Sequence, residues 1–128
     1  MDIIIRAEQA SDIGKIRLLT KAAFKNVEYS THNEHFIVDA LRKCGRLSLS
    51  LVAVHEQEVV GHVAISPVQL SSKDEGWYGL GPISVQPDLQ RRGIGRLLMQ
   101  DVLKQLKQQS AAGCVLLGAP HYYQQFGF

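Results

Sequence analysis

Pro82-Ile83-Ser84-Val85-Gln86-Pro87-Asp88-Leu89-Gln90-Arg91-Arg92-Gly93-Ile94-Gly95-Arg96-Leu97-Leu98 is the stretch from which the fold can be read. Pro82 to Val85 has the composition of a strand, and Pro87-Asp88 makes a turn. From about Gly93 to Gln109 apolar residues recur at helical spacing, which predicts a helix carrying Ile94, Leu97, Leu98, Val102, Leu103 and Leu106 inward. Between strand and helix lie two glycines one residue apart, among three arginines. Glycine lets a backbone approach a ligand closely, and a helix N-terminus presents unpaired N–H groups and the positive end of its dipole. Strand, glycine loop and helix together make a place to hold phosphate.

Working outward, Trp77 to Val85 reads as one long strand interrupted by Gly79, Gly81 and Pro82. Proline cannot donate to a sheet ladder, so a bulge is expected that frees backbone groups near Leu80 to Ile83. Upstream, Leu47 to His55 and Val59 to Val68 flank the polar turn His55-Glu56-Gln57-Glu58 and read as an antiparallel hairpin. Ser71 to Gly76 is polar loop. Ile3 to Arg6 reads as a first strand. Ser11 and Asp12 can cap a helix to about Lys25, with Ile13, Ile16, Leu19, Ala23 and Phe24 inward. Thr31 or Asn33 can cap a second helix, in which Phe36, Ile37, Ala40 and Leu41 recur, ending at Lys43-Cys44-Gly45. Downstream, Ala112-Gly113 closes the long helix and Cys114 to Leu117 reads as a short buried strand. Pro120 opens a last helical turn, His121 to Phe126. The order β-α-α-β-β-β-α-β-α predicts an α/β (mixed α+β) fold, a mixed sheet with helices packed on it.

The 128 residues are enough for a single domain, residues 1–128, with a sizeable core. A net charge of +2 is too mild to point to nucleic acid, yet it suits a protein that binds one polyanionic cofactor. Cys44 and Cys114 stand far apart with no histidines placed to complete a zinc site, so no disulfide framework or metal is expected. The apolar part of Met1 to Arg6 is too short for a signal peptide, and no apolar run approaches the roughly 20 residues of a membrane span. A cytoplasmic address is the default expectation, with no membrane partner.

Three glycine-rich devices compete for the phosphate loop. A P-loop needs G-x-x-x-x-G-K-[ST], which is absent. A dinucleotide fingerprint needs G-x-G-x-x-G directly after a strand; here Leu98 stands at the third position, and Gly113-Cys114 stand where the ribose acid belongs. The third device is Q/R-x-x-G-x-G/A after a bulged strand, and Gln90-Arg91-Arg92-Gly93-Ile94-Gly95 fits it. At these residues the chain resembles the GNAT superfamily of acyl-CoA-dependent N-acyltransferases. The likeness continues through the helix and the next strand to the ending Tyr123-Gln124-Gln125-Phe126-Gly127-Phe128. It covers about the last 50 residues closely, and a lone glycine pair would be far weaker. One predicted-acetyltransferase subgroup reads Gly-Asp-Pro-x-Tyr-Tyr-x-x-Phe-Gly-Phe here; in this chain Ala119 replaces the acid.

The resemblance implies a GNAT fold with acetyl-CoA as co-substrate and no metal. Backbone N–H groups along Gln90, Arg91, Arg92, Gly93, Ile94, Gly95 and Arg96 would cradle the coenzyme A pyrophosphate, with arginine side chains adding charge-assisted contacts. The pantetheine arm would lie along Ile83, Ser84 and Val85, with a backbone N–H near Ile83 as oxyanion donor. Tyr123 matches the family's general acid, with Tyr122 as its neighbour and runner-up. For the base, His62, Glu75 and a water relay stay open; His62 alternates with Val60, Ala64 and Ser66 on one strand face. His32 and His35 sit three apart, which is also what a solvated helix face looks like. Trp77 and Tyr78 either line the acceptor site or pack.

The implied reaction is acetyl transfer to a primary amine by direct attack in a ternary complex; the alternative is a non-catalytic acyl-CoA-binding or regulatory module. The acceptor is expected to be a small molecule or a peptide, and Glu28, Glu34 and Asp39 hint at a cationic amine. The family usually continues with one or two strands beyond the Tyr-x-x-x-Gly-Phe motif; these C-terminal strands are missing from the sequence given, as expected of either a fragment or an unusually short member. A bare edge strand is a liability, so a partner chain, such as a homodimer copy, or a nearby segment is expected over the edge near Val115.

Overall fold

The computed structural model describes residues 2–27, 30, 32–68 and 75–117. Among them, the strands are β1 (Ile4–Ala7), β2 (Leu49–His55), β3 (Glu58–Val68), β4 (Trp77–Val85) and β5 (Gly113–Leu116). The helices are α1 (Ile13–Phe24), α2 (Glu34–Lys43) and α3 (Ile94–Gln108). The five strands form one sheet in chain order; the first four are antiparallel and β5 runs parallel to β4. The parallel step needs a crossover, which α3 supplies. Glu56 and Gln57 both take positive φ, 50° and 69°, which makes the β2–β3 connection a two-residue turn matched to strand twist.

Helices cover both faces of the sheet. On one, α3 lays Ile94, Leu98, Met99, Val102 and Leu106 over Leu51, Val63, Ile65, Leu80 and Ile83. Gly61 permits the close approach: a Cβ there would sit 3.1 Å from both Ile94 Cγ2 and Leu98 Cδ1. On the other face Ile16 of α1 and Val38 of α2 meet Val52 and Ala64. The α1 entry is fixed by Asp12, which accepts the Gln9 N–H at 2.7 Å and the Arg6 guanidinium at 2.7 Å. The hydrogen bond from Arg6 holds the Asp12 carboxyl below the usual carboxylate range, against its burial.

The interruption in β4 is where the sequence puts it. Val63 pairs with Ile83, but Ile65 pairs with Leu80, so β4 spends one residue more than β3 across Gly81-Pro82. That extra residue puts both Leu80 and Ile83 into the α3-side core, although their odd spacing would otherwise send them to opposite faces. The Gly81–Pro82 peptide is cis.

Three expectations need correction. In α2 the buried residues are His35 and Val38, while Phe36 and Ile37 are 52% and 46% exposed. His35, Val38 and Arg42 form a stripe with the same helical spacing as Phe36, Ile37, Ala40 and Leu41. An ion pair from Arg42 to Glu8 turns that more polar stripe inward. In α3 Leu97 and Leu103 are largely exposed and Met99 is buried instead, because the sheet takes a narrower arc of the helix than the apolar pattern covers. Finally, β5 is only partly buried, since it stands at the sheet edge among the described residues. No helix among the described residues is long and apolar enough to cross a membrane.

Candidate active site

Gln86 N–H bonds the Val60 carbonyl at 2.9 Å, Pro87–Leu89 forms one 3₁₀ turn, and the loop then swings under the α3 N-terminus. Gln90 ties it down by donating its side-chain N–H to the Val85 carbonyl at 3.1 Å. Arg91 and Gly93 both take left-handed backbone, φ 66° and 87°. Such alternation turns successive N–H groups inward as an anion-binding nest. Leu97 makes the first helical bond, to the Gly93 carbonyl at 3.1 Å. The N–H groups of Ile94, Gly95 and Arg96 therefore have no partner within the helix.

A cavity of about 290 Å³ opens there, lined by Val85, Gln90, Arg91, Gly93, Ile94, Gly95 and Arg96. Seven of the ten residues expected to hold cofactor thus share one hollow. Arg92 is exposed beside it, and Ile83 and Ser84 are buried under the adjoining strand. The Ser84 hydroxyl faces Thr20 on α1 at 3.5 Å, so only its backbone faces along the strand edge. At Gly93 a Cβ would meet nothing within 4 Å. Its glycine is demanded by the backbone angle, not by crowding.

The loop adjoins the C-terminal half of β4. Among the described residues β5 pairs with Trp77 to Leu80, and Leu117 N–H bonds the Leu80 carbonyl at 2.9 Å. Past the bulge, Ile83, Ser84 and Val85 pair with Val63, His62 and Gly61 of β3.

His62 pairs with Ser84 across β3 and β4. It does not face an open cleft, as the strand alternation allowed; the ring is fully buried. Its Nε2 lies 2.7 Å from Ser50 Oγ, and Ser50 donates to Glu8 Oε1 at 2.5 Å. Arg42 grips the Glu8 carboxylate twice, at 2.7 and 3.0 Å. Burial works to raise the Glu8 carboxyl, but hydrogen bonds from Arg42 and Ser50 hold it below the usual range. Burial pushes the His62 imidazole down to about 4. Nothing in the composition flagged Ser50, Glu8 or Arg42, because the chain joins four separate elements.

The sequence profile of the Acetyltransferase (GNAT) family matches residues 15–128. The chain belongs to the GNAT acetyltransferase family. It is 34% identical over 127 residues to the uncharacterised N-acetyltransferase YhbS of Escherichia coli, covering 98% of this chain and 73% of that protein. A GNAT family acetyltransferase from Brucella melitensis, crystallised with acetyl-CoA, superposes with a TM-score of 0.90 at 50% identity. That match covers 99% of this chain and 82% of the other. Crystalline Escherichia coli YhbS in complex with CoA superposes with a TM-score of 0.85 at 33% identity, covering 98% and 68%.

Within this GNAT chain the other expected site residues divide. Tyr122 and Tyr123 lie outside the described residues, as does the rest of the closing motif. Glu75 is exposed, two residues ahead of β4. Trp77 packs flat on Gly113, where a Cβ would collide with its ring, and Tyr78 packs against the α3-side core. Both are packing residues of the β4–β5 edge. His32 is exposed and His35 is largely buried beside Phe36; both border one open hollow of about 570 Å³ that residues of α1 also line. Among the described residues no group of three or more His, Cys, Asp or Glu is placed to hold a metal. Glu34 accepts from Ser30, and Asp39 pairs with Arg42 and Arg17, which leaves two of the three acids expected near the acceptor already engaged. Glu28 lies outside the described residues.

Proposed function

We propose that the chain transfers an acetyl group from acetyl-CoA to a primary amine on a small molecule or peptide, by direct attack in a ternary complex. The observation that carries this reading is the hollow of about 290 Å³ at the α3 N-terminus, where the Arg91 to Arg96 backbone presents its N–H groups. The pyrophosphate sits there, held by backbone donors and the helix dipole, with Arg91 and Arg96 adding charge. The pantetheine arm follows Ile83 to Val85, which brings the thioester to the bulge. The crystallised relatives with acetyl-CoA and CoA support the cofactor.

The amine attacks neutral, and the tetrahedral oxyanion is met by backbone donors at the bulge. Tyr123 protonates the departing thiolate; a phenol with an ordinary pKa near 10 is still protonated at neutral pH. A second copy or an adjoining segment covers the outer edge of β5, where Leu116 is exposed. Light scattering on the purified chain tests that last statement, and a monomer with a bare edge removes it. The reaction is tested by coenzyme A release against a panel of amines, with Tyr123→Phe alongside. Thiol release with an amine supports transfer. Acetyl-CoA binding without release by any amine would instead favour a non-catalytic binding module, and a Tyr123→Phe enzyme as fast as the parent would remove that residue.

A further inference from the structure

Between α1 and α2 the acids are engaged and two cations are not. Glu34 accepts from Ser30 Oγ on both carboxylate oxygens, at 2.7 and 2.6 Å, and Asp39 meets Arg17 and Arg42. From Ile13 to Lys25 the sequence carries Lys15, Arg17, Lys21 and Lys25 and no acid. Arg17 is taken by Asp39 and lies over the Phe36 ring, 5.4 Å from its centroid. Lys21 and Lys25 are exposed and stand one helical turn apart on one face. Neither makes an ion pair among the described residues. Both line the hollow of about 570 Å³, and its α1 wall beside them is apolar, built from Leu18, Ala22 and Phe24. From α2, burial pushes the His35 imidazole down, so that ring adds no charge near neutral pH.

The path of α1 sets this hollow beside the donor strand. Ile16 packs against Val52 of β2 and Ala64 of β3, and one turn later Thr20 stands over Ser84 of β4, hydroxyl to hydroxyl at 3.5 Å. Phe24, a further turn and about 6 Å along the axis, lines the hollow. Ser84 is the middle of the three residues to which the pantetheine arm is assigned above.

We infer that this hollow receives the acceptor, and that the acceptor is an amine carrying a carboxylate on an apolar stem, with the carboxylate at Lys21 and Lys25. This rests on the transferase reading above and names its substrate class. The stem lies against Leu18, Ala22 and Phe24, whose burial supplies affinity that an exposed ion pair alone does not. The two ammonium groups supply the selection. A second ammonium in place of the carboxylate would face both of them, with Glu34 already held by Ser30. With the carboxylate kept at the lysines, the amino end is the one that turns toward β4.

Two arms test this. In the first, nitrogen-15 correlation spectra of the chain with coenzyme A bound are followed while hexanoate or hexylammonium is added. Hexanoate is expected to shift the amide signals of Lys21, Ala22 and Lys25 saturably, at roughly millimolar concentration, and hexylammonium to leave them in place. Equal shifts from both ions overturn the inference, and so does hexanoate that moves none of these signals. In the second arm, coenzyme A release is measured with three six-carbon primary amines whose far end is a carboxylate, a methyl or an ammonium. The carboxylate-ended amine is expected to exceed the ammonium-ended one about tenfold in kcat/KM, mostly through KM. Lys21→Glu combined with Lys25→Glu is expected to reverse that order, and a thermal melt checks that the double variant is folded. A wild-type preference for the ammonium-ended amine, or an order that the folded double variant leaves unchanged, overturns the inference and keeps the transferase reading. Hexanoate that seats at Lys21 and Lys25 in a chain that acetylates no amine overturns the transferase reading instead, and the hollow stands as a carboxylate site.

Discussion

Lowering the pH from 7.5 to 5 is expected to remove about 2 kcal/mol of folding stability through His62 alone. The ring is buried, and desolvation, partly offset by Glu8 and reinforced by Arg42, pushes its pKa from 6.5 down to about 4. Below pH 6.5 the unfolded chain binds a proton that the folded chain refuses until about pH 4. The stabilisation from the neutral ring is thus complete above 6.5 and lost as the pH falls. At about 1.4 kcal/mol per pKa unit the whole window amounts to roughly 3 kcal/mol, and about 2 of it is gone at pH 5. Urea unfolding at the two pH values reads this as a midpoint drop of about 1 M, for a slope of about 2 kcal/mol/M. In His62→Gln the starting stability is lower and the drop between pH 7.5 and 5 is smaller by about 2 kcal/mol; what remains there comes from His35, whose imidazole burial also pushes down. Glu8 and Asp12, whose carboxyls are held low, lose their contributions only at more acid pH and do so in both proteins. Parallel losses in wild type and His62→Gln across this range would refute the buried, neutral ring.

Other substitutions separate packing from binding. Gly93→Ala places a side chain at φ 87°, so stability falls by about 1 kcal/mol. Relaxing that angle also scatters the nest, and acetyl-CoA affinity by calorimetry weakens about tenfold. Gly61→Val drives a branched side chain into Ile94 and Leu98, which costs about 2–3 kcal/mol in a thermal melt. The α2 orientation is checked by urea unfolding of a pair: Phe36→Ser changes the unfolding free energy by less than about 0.5 kcal/mol, whereas Val38→Ala costs about 2 kcal/mol. A reversed order would mean that the apolar stripe faces inward after all.

The parts of the fold that were legible are those where a local rule has one solution. Pro82 after Gly81 cannot continue a ladder, and the bulge stands between Leu80 and Ile83. Gly93 and Gly95 ahead of an amphipathic run mark the helix mouth, and the hollow forms there. Where two solutions share a period, the sequence misled. Phe36, Ile37, Ala40 and Leu41 outweigh His35, Val38 and Arg42 in hydropathy, but Glu8, at the end of a strand more than thirty residues earlier, captures Arg42 and turns the helix. The same long-range pairing hid the chain behind His62. Ser50 and Glu8 are ordinary polar residues in isolation, and only the register of β2 on β3 brings Ser50 to the ring. Ser84 shows the converse: its place on β4 was legible, but its hydroxyl turns to Thr20 under α1 and leaves only backbone for a ligand.

The most direct test of the central claim is to supply acetyl-CoA labelled in its acetyl group together with a panel of primary amines and follow the label by mass spectrometry. A labelled amide in one-to-one yield with free coenzyme A thiol is expected. This yield is expected to fall in Gly93→Ala at subsaturating acetyl-CoA and to recover as the concentration rises. Thiol released with the label found only in acetate, or a Gly93→Ala protein indistinguishable from wild type at every concentration, would contradict it.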